Sequence, residues 1–272
     1  MIRLPVAAPL LAVLACCGAA PEGNVSFALG NELQEVSGLA VAGPNSVFAH
    51  DDEYAIVYEI DLEDGHVRRT FALGDPTIEG DFEGIAYSGG DVFLISSDGL
   101  IYAARPGKSG QRVPYTVYDS GVGARCEIEG LTNAPEAGHL LILCKRLRKD
   151  EGKPRLEIYT WRIGDEQAAQ EPWLSRPLRD LLKRKERAEF APSGFEWDES
   201  NSRLFVVSGR NRLLLQIDRN GNLLAKDTLD HQRHPQTEGI AVIRGCRLLL
   251  ADEGSRTRKA TLAQYPCPPR GG

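Results

Sequence analysis

The sequence predicts an all-β protein, a single β-propeller of five blades, and three observations lead there. The first is a short phrase of Ser or Glu, then Gly, then a large apolar residue, which occurs five times. It reads V-S-G-L-A at 36–40, F-E-G-I-A at 82–86, I-E-G-L-T at 128–132, P-S-G-F-E at 192–196 and T-E-G-I-A at 237–241. Its glycines, Gly38, Gly84, Gly130, Gly194 and Gly239, are spaced 46, 46, 64 and 45 residues apart. The second is a set of apolar runs of strand length behind the phrases, such as S-V-F-A-H at 46–50, D-V-F-L-I at 91–95, R-L-F-V-V at 203–207 and R-L-L-L-A at 247–251. Gly, Pro, Asn and Asp bound these runs, as they bound strands. The third is composition. Twenty-eight Gly and 16 Pro are scattered along 272 residues, which suits many short strands and turns.

The N-terminus reads as an export signal. Arg3 is followed by an apolar segment over 4–15 that is too short for a transmembrane helix. V-L-A-C at 13–16 resembles the bacterial lipobox, in which the cysteine becomes the lipidated first residue of the mature chain. The expected organisation is therefore a signal peptide over 1–15, a tether over 16–23 and a propeller over 24–272. Lipid on Cys16 would anchor the domain to a membrane surface of the cell envelope, facing the periplasm or the exterior. The alternative is a secreted or periplasmic protein cut near Ala19 or Ala20, a site disfavoured by Pro21.

Each repeat then supplies four strands. The third and fourth form a hairpin: 57–61 with 67–73 around Glu63-Asp64-Gly65, and 214–218 with 223–229 around Asn220-Gly221. The long interval holds Ser175-Arg176-Pro177 followed by L-R-D-L-L-K-R-K-E-R, which predicts one inserted helix near 175–188. A sixth blade is the alternative use of those residues. Only 33 residues come after Gly239, too few for a full blade. The strand-like V-S-F-A-L at 25–29 is expected to complete the last blade and close the ring.

Four cysteines remain beyond Cys16 and Cys17, and an even number in an exported chain suggests disulfides with three possible connectivities. Cys126 with Cys144, and Cys246 with Cys267, each centre on a polar turn, so each pair is expected to face across a hairpin. Reduced, unpaired thiols are the alternative. The net charge of −6 argues against a nucleic-acid partner, and nothing in the chain calls for more than a monomer.

The set of five phrases, with F-E-G-I-A-Y at 82–87, C-E-I-E-G at 126–130, H-P-Q-T-E-G-I-A at 234–241 and A-D-E-G at 251–254, resembles the bacterial SdiA-regulated propeller proteins. The likeness extends over nearly all the chain after residue 30. It implies an exported or membrane-anchored propeller related to the esterase-like phytases, able to carry Ca2+, and it does not imply an enzyme.

Because the phrase opens the innermost strand, the residues before the glycines (Ser37, Glu83, Glu129, Ser193 and Glu238) are expected to ring the mouth of the central channel. A second ring lies fourteen residues after each glycine: Asp52, Asp98, Cys144, Ser208 and Glu253, flanked by His50, Asp51, Lys145, Arg210 and Asp252. Carboxylates converging on an axis repel one another, by about 4 kcal/mol for two at 4 Å and an effective dielectric of 20. A Ca2+ held by Glu83, Glu129 and Glu238 would relieve this; hydrogen bonds pinning blade to blade are the bland alternative. No histidine pair has zinc-ligand spacing, and His231 and His234 read as surface residues of a Pro-interrupted loop. No G-x-S-x-G is present, and Ser208 has no assigned base. Lys183, Arg184 and Lys185 read as a solvated face, or as a contact for anionic lipid. The expected function is binding of a small ligand or an envelope protein at the mouth. The alternative is a Ca2+-dependent phosphoesterase or esterase using Lys145, Arg146 and Arg210.

Overall fold

The computed structural model describes residues 24–149, 154–243 and 247–267. They form five antiparallel sheets arranged as the blades of a propeller, as the repeat predicts. Blade 1 holds Val36–Gly43, Ser46–Asp51, Ile56–Asp61 and Val67–Leu73, with Gln111–Val113 added in parallel at its outer edge. Blade 2 holds Phe82–Ser88, Asp91–Ser96, Leu100–Ala104 and Thr116–Asp119. Blade 3 holds Cys126–Asn133, His139–Leu147, Arg155–Arg162 and Leu174–Pro177, and blade 4 holds Gly194–Asp198, Arg203–Ser208, Leu213–Asp218 and Leu223–Thr228.

Blade 5 is made from both ends of the chain. Thr237–Ile243, Arg247–Asp252 and Thr261–Pro266 take Val25–Ala28 as their outermost strand, with Val25 opposite Gln264 and Ala28 opposite Thr261. Closure by the N-terminal strand satisfies an edge that would otherwise be an open template for pairing.

The core lies between blades. Phe48, Phe71, Ile85 and Leu94 fill the space between blades 1 and 2, and Phe93, Ile128, Ile142 and Trp161 that between blades 2 and 3. Each blade is thus covered on both faces, which is why its central strands read as unbroken apolar runs rather than alternating ones. Between blades 4 and 5 the buried side chains among the described residues are Phe205, Val207, Leu214, Ile240, Leu248 and Leu250.

The inserted segment differs from the single helix expected. Leu174–Pro177 is the outermost strand of blade 3, and two short helices come after it, Leu178–Leu181 and Arg184–Glu189. Ser175 caps no helix: its hydroxyl donates to Glu157 and accepts from Arg155 Nε across the sheet. Leu178, Leu181 and Leu182 are all buried against the interface of blades 3 and 4, and Leu182 turns extended to reach it, splitting the helix. Lys183, Arg184 and Lys185 are exposed.

Cys126 and Cys144 are joined across the first two strands of blade 3, with Cα atoms 5.6 Å apart, as their hairpin spacing predicts. Cys267 is also disulfide-bonded. Cys246, like Cys16 and the signal segment, lies outside the described residues. Among the described residues no helix is long and apolar enough to cross a membrane.

Candidate functional site: the channel mouth

The five glycines explain how the axis closes. A Cβ on Gly84 would stand 2.4 Å from the Leu131 backbone N and 2.8 Å from Gly130 backbone carbon. One on Gly194 would stand 2.5 Å from the Glu238 carbonyl oxygen, and one on Gly130 3.0 Å from the Phe195 ring. Gly239 faces Leu39, and Gly38 faces Ile85 and the imidazole of His50. Every glycine therefore meets the phrase of the next blade round the ring. Only a residue without Cβ lets backbones approach this closely.

The residue before the glycine is set apart by a bulge. The pairing of the two inner strands slips between Val36 and Gly38, Phe82 and Gly84, Ile128 and Gly130, and Thr237 and Gly239. Ser37, Glu83, Glu129 and Glu238 are the extra residues, released from the ladder and re-aimed, as bulges do. They line a constriction of about 20 Å³ on the axis. Blade 4 has no such bulge, and Ser193 behaves differently: its hydroxyl donates to the Thr237 carbonyl at 2.6 Å and accepts from Gly209 N–H at 2.9 Å. Ser193 pins blade to blade; the glutamates have one another and Lys145 as neighbours.

The electrostatics of the mouth follow from burial. Burial raises the carboxyls of Glu83 and Glu129, with Glu129 adding repulsion at Glu83 and Lys145 opposing both shifts. Glu238 is pushed up to about 9, by burial first and then by Glu129 and Glu253. Glu253 is pushed up to about 7 by burial, Asp52 and Glu35. The cation among them is Lys145, whose Nζ lies 2.7 Å from Glu129 and 3.9 Å from Glu127. Asp52 joins this group; its Oδ1 is buried and accepts no hydrogen bond. Among the described residues the cluster thus holds more carboxylates than cations, and burial and mutual repulsion favour their protonated forms.

Other expected residues fall elsewhere. Asp98 is exposed in a turn, where it accepts from the Ser96 hydroxyl at 2.5 Å, and Asp81 supplies the blade 2 charge that acts on Glu83. Asp252 is turned away from the mouth, and both its oxygens are engaged by Thr237 and His234. His50 is fully buried, and that burial pushes its imidazole down to about 4; Nδ1 bonds the Asp51 carbonyl oxygen and the ring fills space left by Gly38. Ser208 is buried and accepts from Ala191 N–H. Arg210, exposed, joins Lys145, Arg146 and Arg155 in lining a separate pocket of about 170 Å³.

His234 corrects the sequence reading outright. It is 3% exposed rather than at the surface, because Asp230 accepts the backbone N–H groups of Gln232 and Arg233 and turns the loop inward. Glu196 was not anticipated either. It accepts from the Thr132 hydroxyl on blade 3 and from the Val242 N–H on blade 5, and burial pushes it up to about 8. The available signal was its place two residues after the glycine, where the other blades carry Ala40, Ala86, Thr132 and Ala241.

Oxygen donors suit Ca2+, whose ligands lie 2.3–2.6 Å away, so ligands on opposite sides of one ion are separated by about 5 Å. Among the described residues, the three-member donor set with atoms within 4.8 Å of one another is Asp61, Asp64 and His66, in a blade 1 turn. Glu83, Glu129 and Glu238 form no such set. As arranged, they do not fit a single shared ion, and the ammonium of Lys145 supplies positive charge instead.

Comparison with known proteins agrees with this architecture. The model of the SdiA-regulated family matches residues 181–265, which span blade 4 and most of blade 5, and over that stretch it bears out the resemblance seen in the sequence. No curated protein matches the chain. Among solved structures, glutaminyl cyclase of Myxococcus xanthus is 13% identical with a TM-score of 0.57, over 89% of this chain and 94% of that one. A luciferin-regenerating enzyme is 12% identical at 0.54, over 89% and 95%. The PQQ-bound aldose sugar dehydrogenase of Streptomyces coelicolor is 14% identical at 0.51, over 90% and 99%. At these identities the likeness shows the fold alone.

Proposed function

We propose that this chain is a monomeric, membrane-anchored lipoprotein of the cell envelope, of the SdiA-regulated type, whose channel mouth binds a cationic group. That group is an amine of a small ligand or a Lys or Arg side chain of an envelope protein. The observation that carries the reading is the crowding of Glu83, Glu129, Glu238 and Glu253 around one ammonium, with Asp52 beside them and one of its oxygens buried without a partner. A ligand cation would replace the protons these groups retain and relieve their mutual repulsion.

A second reading is the Ca2+-dependent phosphoester hydrolase. It draws on the pocket of Lys145, Arg146, Arg155 and Arg210 beside the mouth, which has the charge to hold an oxyanion. Thermal melts at pH 8 with spermidine, with arginine methyl ester and with CaCl2 separate the two. The amines are expected to raise the melting temperature, and Glu83→Gln with Glu238→Gln to abolish the rise, since a ligand at about 100 times its Kd stabilises by about 2.7 kcal/mol. Absence of any amine-dependent rise overturns the proposal. Phosphoester turnover that needs Ca2+ and is lost with Glu83→Gln and Glu129→Gln would install the hydrolase in its place.

A further inference from the structure

Away from the channel mouth, the interface of blades 4 and 5 contains a cavity of about 260 Å³. Its apolar wall includes Leu214, Leu229, Leu248 and Leu250, and its polar side is made by Arg233, His234 and Tyr265 together with the carboxylates of Asp227 and Asp230. Leu214, Leu248 and Leu250 belong at once to the cavity wall and to the interblade core. At the polar end runs an unbroken chain of hydrogen bonds. The Thr237 hydroxyl donates to Asp252 Oδ1 at 2.9 Å; Asp252 Oδ2 lies 2.7 Å from His234 Nδ1; His234 Nε2 lies 2.6 Å from the Tyr265 hydroxyl.

The order of these groups fixes their roles. Asp252 is 1% exposed and His234 3%, so the imidazole is locked in plane and position. In the tautomer that donates Nδ1–H to the carboxylate, Nε2 carries the lone pair that faces the tyrosine hydroxyl, and that tautomer is the one the reaction uses. A nucleophile, a base in contact with it and a third group orienting the base is the geometry of nucleophilic catalysis. A purely structural network would need no cavity at its nucleophile end. Burial raises the Tyr265 hydroxyl and the neighbouring Arg233 opposes that rise, so the resting phenol is protonated and attack depends on His234.

We propose that Tyr265, His234 and Asp252 form an acyl-transfer site, with the apolar cavity receiving the acyl chain. The Tyr265 oxygen attacks the acyl carbonyl carbon while its proton passes to His234 Nε2. The tetrahedral oxyanion faces the Arg233 guanidinium. Collapse expels the leaving group, which takes the proton from His234, and leaves an acyl-tyrosine. Water then attacks that ester, giving its proton to His234; the carboxylic acid leaves and the proton returns to the Tyr265 oxygen.

The nucleophile selects the substrate class. A phenol ionises near pH 10 and a thiol near pH 8.5, so a phenolate displaces a thiolate or another phenolate from an acyl group readily, to within about two pKa units. An alkoxide, whose parent holds its proton about as tightly as water does, near 15.7, is a far worse leaving group than the phenolate that attacks. The substrates are therefore thioesters and aryl esters of small apolar acids, and alkyl esters and amides are excluded.

The full chain is assayed with p-nitrophenyl butyrate, S-butyryl-N-acetylcysteamine and ethyl butyrate. The first two are expected to turn over with an initial burst, and a butyryl group is expected on the peptide containing Tyr265 after acid quench. Ethyl butyrate is expected to be inert. Tyr265→Phe removes one oxygen and keeps the ring, and it should abolish both burst and adduct. Asp252→Asn should slow turnover about 10²-fold or more while the thermal melt reports that the blade still folds. No burst in the wild type, an adduct on another residue, or undiminished turnover in Tyr265→Phe overturns the proposal.

Discussion

Lys145 Nζ stands 2.7 Å from Glu129, and this ion pair brings a cation from the second strand of blade 3 to the glutamates at the channel mouth. Burial acts against both charges, yet Glu129 and its neighbours hold the ammonium above its ordinary value while Lys145 holds Glu129 down against that burial. Replacing Lys145 with Gln leaves a carboxylate whose only escape is to take up a proton. At pH 8, where it is ionised in the unfolded chain, the variant should lose about 3 kcal/mol, the usual cost of orphaning one partner of a buried pair. At pH 5 the loss should be smaller, because the proton is easily supplied. Equal losses in melts at the two pH values would refute this account of the mouth.

Glu238 carries the opposite lesson. Its folded value of about 9 lies above the ordinary 4.5, so the folded protein binds the proton more tightly than the unfolded chain. Below about pH 4.5 both states are protonated and the stabilisation is complete; it declines as pH rises and is gone above about 9. Glu238→Gln keeps the shape of the protonated acid and removes that dependence. The variant should be more stable than the wild type at pH 8, by about 1–3 kcal/mol, and nearly equal to it at pH 4.5. Denaturant titrations at the two pH values measure the difference.

Gly84 tests the closure of the ring. An added methyl would meet backbone of the next blade at 2.4 Å, and backbone cannot rotate away as a side chain can. Gly84→Ala should therefore destabilise by about 3 kcal/mol or more. Gly43→Ala, where the nearest contact is the Ser46 hydroxyl at 3.3 Å, should cost far less. Similar midpoints for the two variants would mean that the blades are not in contact at the axis as described.

The disulfide Cys126–Cys144 spans 18 residues of sequence and closes a small loop within blade 3. Its removal by paired Ala substitution should lower stability by about 3 kcal/mol through the freedom restored to the unfolded chain. A melting temperature equal to that of the oxidised wild type would show that the bridge is dispensable.

The periodic features of this protein were legible without coordinates. The five phrases, the apolar runs behind them, the matched hairpins and the strand V-S-F-A-L that completes the last blade all come from local chemistry repeated at a regular interval. A blade cannot bury its faces alone, so a period of about 45 residues implies a ring of packed neighbours. The pairing of Cys126 with Cys144 was legible for the same reason, since residues on either side of a short turn must meet.

Whatever depends on orientation between blades was left open by the sequence. The place of Glu83, Glu129 and Glu238 near the axis comes from the repeat. The bulges that release them from the ladder, and the single ammonium they share, come from how strands pair and blades approach. Asp252 and His234 lie 18 residues apart, and Tyr265 lies 31 from His234; only the folding of one loop inward against blade 5 joins them. Period and pattern, being properties of neighbouring residues, were written in the sequence; the direction of each side chain was decided by packing against chain far away.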